Sequence, residues 1–429
     1  MGQVNITTWQ GDLQHTGANL NETALTPANV GSIGNFGPLF TQPLDGQSYG
    51  QPLYVTSGTL GRFADGSSHN VVYVATEHDS VFAFDADSNA SPLWHVSLLP
   101  SGTTPVPQGE VGSGDIEVEL GITTTPVIDT AGQTLYVVSK VKKTADGTYQ
   151  QYLHALDLKT GAEKLNGPVL INPTFAGSAP DEENPNGHPA GSNCVPANGV
   201  IPFCPLHEHL RAAMILFNGV VYLSYGSHGD TTPYHGEILG YDANTLQLVK
   251  TFISSPNGAS GQIPFGGFWG SGAGPAIDSQ GNMFVAVANG AFDQAASQFT
   301  TGTDWGESIL KLPTTGSFNV SFSNPLNWFT PDNWSDLNGN DLDLGSSGLL
   351  LLPDQATGPH SHIAVGGGKG GVLYVVDRDN LGGLHTPDNS IQEIAEGRRL
   401  FVTPAYFNGY IYYTAEGVLW SNAPWDLTR

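Results

Sequence analysis

The sequence predicts an all-β fold, a β-propeller of four-stranded antiparallel blades, and three observations carry that expectation. In 429 residues there are 55 glycines and 29 prolines, with 10% aromatic and only 12% charged residues, a balance that suits short strands joined by many turns. One unit recurs: a short apolar strand, a turn, an aromatic and β-branched strand, a loop, and a strand that ends near Asp. Asp85, Asp157, Asp242 and Asp377 mark that third-strand end in four copies. The copies are unevenly spaced, which a radial propeller absorbs in loops of different length and a stacked solenoid tolerates poorly.

Taken in order, residues 1–32 read as an entry segment and 33–429 as one propeller domain, with blades near 48–98, 121–171, 211–254, 271–322, 346–385 and 398–429. The first copy runs through QPLYVTSG, NVVYVATEHD, SVFAFDADSN and PLWHVSL; the second ends in YLHALDLKTGAEKL and PVLI. The sixth opens with LFVTPAYFNGYIYYTAEG and shows no third strand, so six to eight blades suit the chain and closure of the ring stays open. GLLLLP at 348–353 is a buried strand, far shorter than the ~20 apolar residues that span a bilayer.

Lys and Arg number 14 against 39 Asp and Glu, a formal net charge of −25. Such a surface repels nucleic acid and anionic membranes, and neither is an expected partner. No phosphate-binding loop, dinucleotide fingerprint or nucleophile elbow occurs. Cys194 and Cys204 share one loop, GSNCVPANGVIPFC, where a local disulfide and hence an oxidising, secreted or periplasmic location are expected. MGQVNITTWQ lacks the basic start and apolar stretch of a signal peptide, so a leader is expected to have been removed.

Antiparallel neighbours reverse direction at each turn, so the second-to-third strand loops and the connections between blades open on one face. The turns of the other face are short: DTAGQ, FNG, DSQGN, DLKTG. Long polar loops crowd the first face and carry Glu77, His78, Asp79, Glu119, Asp293 and Asp304 beside the residues named below, while His360 and His362 fall on the other. Function concentrates in loops held by a rigid scaffold, which makes the first face the expected ligand site.

YLHALDLKTGAEKL, with Ala155, Asp157, Thr160 and Gly161, resembles the blade signature of the pyrroloquinoline quinone (PQQ) repeat of quinoprotein alcohol dehydrogenases. The likeness extends over about residues 33–420; TWQGDLQHTGANLNE resembles the entry segment of such chains, and PLFTQPLDG at 38–46 an outer strand closing the last blade. The resemblance implies PQQ and calcium as cofactors, and alcohols or sugars as substrates. Residue by residue it implies Trp269 in GGFWGSG as the floor under the quinone, Lys369 in GGGKGG as its basic contact, and Asp230, Asn289 and Asp341 as calcium ligands. Asp341, in NGNDLDLGSSG, is also the implied catalytic base, with Asp343 as a second acidic group. The chain departs from the family in having six visible blades where eight are usual, in lacking the adjacent cysteine pair, and in offering Asp230 where a glutamate is usual.

Two other readings stand beside this one. His207 and His209, with His228 and His235 of a neighbouring loop, can form a transition-metal site of a propeller lyase or oxygenase. Alternatively the propeller is a non-catalytic scaffold whose central pocket or edges bind protein, a small molecule or polysaccharide.

Overall fold

The computed structural model describes residues 4–31, 36–179, 194, 196–258, 264–293, 303–416 and 418–420. Its strands form the expected blades. Blade 1 joins Leu53–Val55, Val71–Ala75, Ser80–Asp85 and Trp94–Ser97 in consecutive antiparallel order. Blade 3 repeats that order with Ile215–Phe217, Val220–Tyr225, Glu237–Asp242 and Leu248–Ile253. Blade 2 uses Val127–Asp129, Thr134–Lys143, Tyr149–Asp157 and Val169–Leu170, and the far end of its long second strand also pairs with Thr103–Pro107. The period-two alternation of buried and half-buried residues in Val71–Ala75 shows why these segments are strands: one side chain in two turns into a neighbouring blade.

Several boundaries differ from the sequence reading. The fourth strand of blade 4 is Trp328–Thr330, and that of blade 5 is Gln392–Ala395. Both lie beyond the expected limits of 322 and 385, because Gly383–Leu384 crosses back to pair in parallel with Trp328–Thr330. Blade 6 does have a third strand, Val418–Trp420, antiparallel to Tyr410–Ala415. PLFTQPLDG forms no strand: Asp45 instead accepts from Thr76 Oγ1 at 2.9 Å and Ser80 Oγ at 2.6 Å, which ties the segment to blade 1.

The core is a series of seams. Buried clusters join blade 1 to 2, 2 to 3, 3 to 4, 4 to 5 and 5 to 6, around side chains such as Leu156, Tyr225, Trp305, Phe329 and Leu373. Among the described residues no such cluster joins blade 6 to blade 1. The entry segment binds the arc together from inside. Ile6 pairs with Tyr54, Thr7 accepts from Ile128 N, Leu13 from Ile277 N, Gln14 from Leu351 N and Thr16 from Tyr406 N. Residues 6–16 thus lie along the innermost strands of blades 1, 2, 4, 5 and 6. His15 is fully buried there with Nδ1 3.0 Å from the Leu349 carbonyl, and burial pushes its imidazole down to about 4.

Candidate functional site

A cavity of about 220 Å³ opens on the loop face, lined by Asp115, Arg211, Asp230, Trp269, Asp343 and Lys369 among others. Four of the residues singled out in the sequence, Asp230, Trp269, Asp343 and Lys369, therefore meet in one place, although they come from blades 3 to 5.

The lysine loop explains its glycines. A Cβ on Gly368 would stand 1.9 Å from the Asp343 carbonyl oxygen, so only glycine lets this turn lie against the 341–344 segment. The close approach is to backbone: Lys369 N donates to Asp343 O at 3.0 Å and Gly370 N to Leu342 O at 3.1 Å. That contact carries the Lys369 ammonium to 2.9 Å from Asp341 Oδ1 and 2.5 Å from Asp343 Oδ2. Burial alone would lower this lysine, but the two carboxylates outweigh it and hold the ammonium above its ordinary value.

Asn289 joins the same group. Its backbone N donates to Asp343 Oδ1 at 2.9 Å and its Nδ2 to Asp341 Oδ1 at 3.0 Å, while its buried Oδ1 has no hydrogen-bond partner. Of the two aspartates, Asp343 is buried and lines the cavity; the Asp341 side chain is 60% exposed and lies outside the lining. Asp230 receives the Tyr234 hydroxyl at 2.6 Å, and burial raises its carboxyl, helped by the nearby Asp343 and Asp341. Glu307 stands behind them, accepting from Leu344 N with one oxygen and leaving the other unpartnered. Burial raises it well above the carboxylate range. The Trp269 indole packs beside Gly226 and Gly267, where a Cβ would come within 3.3 Å and 2.9 Å of the ring.

A second polar group sits against the first. Lys140 is buried on the long second strand of blade 2, with Nζ 2.7 Å from Leu206 O, 3.3 Å from Glu208 O and 2.8 Å from His228 Nε2. Burial pushes its amine down to about 7. Glu77 accepts from Gly121 N at 2.8 Å and Thr123 Oγ1 at 3.2 Å, and burial pushes it up to about 7. Asp79 accepts from Lys140 N, and Glu208 from His235 N. Burial raises Asp79, Glu208 and Glu237 well above their ordinary range, and both oxygens of Glu237 lack a partner. His209 and His228 stack with centroids 3.9 Å apart, and burial lowers both well below an ordinary imidazole.

The four histidines expected to converge do not all do so. His235 turns its Nδ1 to the Ser255 carbonyl at 3.1 Å, and among the described residues the side chains that can share an ion are His209, His228 and Asp115. His207 is buried but outside that set. His78 pairs with Glu119 at 2.8 Å, and both are partly exposed. Lys140, Glu237 and Glu307 were missed by the sequence reading. A lysine inside the apolar run TLYVVSKVKK was one available signal, and a Gly-Glu pair ahead of a third strand, GEILGYD and GESILKL, was the other.

No protein-family model matches the chain, and no curated protein matches it. Among solved structures, a quinohemoprotein alcohol dehydrogenase from Pseudomonas putida HK5 is 15% identical with a TM-score of 0.55; the match covers 91% of this chain and 48% of that one. A europium-containing methanol dehydrogenase is 15% identical with a TM-score of 0.54, covering 91% and 58%. The chain thus spans about half the length of these enzymes and has their propeller fold.

Proposed function

We propose that the cavity binds PQQ beside a calcium ion, and that the protein is a dehydrogenase-like member of the quinoprotein family that oxidises alcohols or sugars. The observation that carries this reading is the buried, unpartnered Oδ1 of Asn289, a residue hydrogen-bonded to Asp341 and Asp343, with Lys369 as the cation paired to both and Asp230 close enough to feel their charge. Three carboxylates and an amide oxygen against one ammonium leave an excess of negative charge, and a hard oxygen set of that kind suits calcium. Asp230, Asn289 and Asp341 are the ligands we assign, with Asp343 adjoining them.

The fit to a flat, trianionic quinone rests on Trp269, whose indole lines the cavity, and on Lys369 and Arg211, which supply positive charge along its wall. When bound, the quinone supplies the two-electron acceptor. The chain's own task is to position and to move a proton. Lys369 and Arg211 hold carboxylates, Trp269 fixes the plane, and a carboxylate at the wall takes the proton of the substrate hydroxyl. Asp343 faces the cavity and is the better placed; Asp341, the base expected from the sequence, stands beside it and shares the Lys369 ammonium. A secreted or periplasmic location is part of the proposal, supported by the Cys194–Cys204 disulfide.

The test is to add PQQ and calcium to the purified chain and follow both the bound-quinone spectrum and dye reduction with alcohols and aldoses. Binding at micromolar quinone, lost in Lys369→Met, and dye reduction lost in Asp343→Asn are the expected results. No quinone binding under these conditions overturns the reading and leaves a non-catalytic propeller that binds protein, a small molecule or polysaccharide.

A further inference from the structure

The stacked histidines have no part in the oxygen-rich group around Asn289, yet they are built as if to hold something. His209 and His228 are 2% and 0% exposed. Nδ1 of His228 has no hydrogen-bond partner, and neither ring nitrogen of His209 makes one of good geometry, a weak backbone contact with Ser227 aside. Buried polar atoms left so are destabilising, and several of them on two adjoining rings are hard to account for as packing.

Their surroundings fix the rings without satisfying them. The backbone of His209 is bridged to Gly226 in both directions, at 2.9 and 3.0 Å. His228 Nε2 lies 2.8 Å from Lys140 Nζ, which leaves Nδ1 as the free donor atom. The Lys140 contact at Nε2 holds that ring in place, and partners of this kind orient metal-bound imidazoles. Asp115 brings a carboxylate to the same place, and the ligand atoms of Asp115, His209 and His228 all lie within 4.8 Å of one another. Tetrahedral ligands at ~2.1 Å from one ion stand ~3.4 Å apart, so the group has to draw in by up to ~1.4 Å.

We propose that Asp115, His209 and His228 form a site for a divalent first-row transition-metal ion, distinct from the oxygen ligands around Asn289. Two imidazoles and one carboxylate suit iron, cobalt, nickel, copper or zinc rather than calcium, and leave coordination positions open. Asp115 also lines the 220 Å³ cavity, so the ion would sit at its wall, and on the dehydrogenase reading beside the space proposed for the substrate. Asp115 is already positioned for this, with Ser113 Oγ donating to Oδ1 at 2.8 Å and Arg211 3.8 Å from Oδ2.

The experiment titrates the chelator-stripped full chain with Co²⁺ in excess Ca²⁺ and without quinone, following visible ligand-field absorption and heat. One equivalent bound with a micromolar or tighter constant is expected. His209→Gln should abolish the bands, and Asp115→Asn, at a partly exposed side chain whose loss leaves the core intact, should weaken binding by about tenfold or more. A millimolar constant in that excess of Ca²⁺ overturns the site, as does binding unchanged in both variants. Quinone is absent throughout, so failure here is separate from failure of the dehydrogenase reading.

Discussion

Histidines and carboxylates meet on both faces of this propeller, under opposite conditions. On the short-turn face, His69 Nδ1 stands 2.9 Å from Asp85, His360 Nδ1 2.7 Å from Asp377 and His362 Nδ1 2.7 Å from Asp379, all partly open to water. Each imidazole has its carboxylate, and turn aspartates of this face also cap their own turns, as Asp157 does by accepting from Lys159 N and Thr160 N. On the long-loop face, Glu77, Asp79, Glu208, Glu237 and Glu307 are buried and raised by desolvation, and His209 and His228 are buried and lowered. The same residue types punctuate strands on one side and hold uncompensated polarity on the other. What differs is water: the short turns leave their charges solvated, whereas the long loops fold over theirs.

The strongest way to break the contrast is Gly368→Ala. A Cβ 1.9 Å from a carbonyl oxygen cannot be accommodated without moving the loop, and overpacking of this kind costs about 3 kcal/mol. Lower stability in urea and loss of quinone binding are expected together, since Lys369 is carried by that turn. Unchanged affinity would show that the close approach does not position the lysine.

Glu77→Gln sharpens the comparison on the same face. The carboxyl is raised from its ordinary value to about 7, so its contribution is fully present below the unfolded value and is lost as pH rises through the folded one. The amide keeps an acceptor for Gly121 N and Thr123 while removing the ionisation. In metal-free buffer the variant should therefore be more stable than the parent at pH 8, on the order of 2 kcal/mol, and no different at pH 4. Thermal melts at the two pH values check this, and a gain at pH 4 would contradict the sign.

His360→Ala is expected to do least. Its pair with Asp377 is partly exposed, with side chains 35% and 18% accessible, and such a pair contributes at most about 1 kcal/mol. Calcium, Co²⁺ and quinone titrations should match the parent. A change in any of them would mean that the two faces are coupled through the blade.

Much of this fold was legible because its strands are local. Leu53–Val55, Val71–Ala75 and Ser80–Asp85 announce themselves as short apolar, β-branched and aromatic runs, the last ending in the turn aspartate Asp85, and no distant contact is needed to recognise them. The boundaries that failed depend on distant partners. Trp328–Thr330 is a strand because Ile309–Leu310 and Gly383–Leu384 lie beside it, and Val418–Trp420 because Tyr413–Ala415 does. For the same reason residues 6–16 read as an entry segment, although they lie along the innermost strands of five blades.

The sequence by itself determined the blade repeat, its two unlike faces, and which polar residues ride on the long loops, because each follows from the order of strands and turns. Only the tertiary structure decided which of those residues meet. It brought Asp230, Trp269, Asp343 and Lys369 to one cavity, left Asp341 largely in solvent, and turned His235 away from His209 and His228. It also put Lys140 beneath them. Convergence and burial are set by how whole blades pack against one another, and the distance between residues on separate loops is not a property of either loop alone.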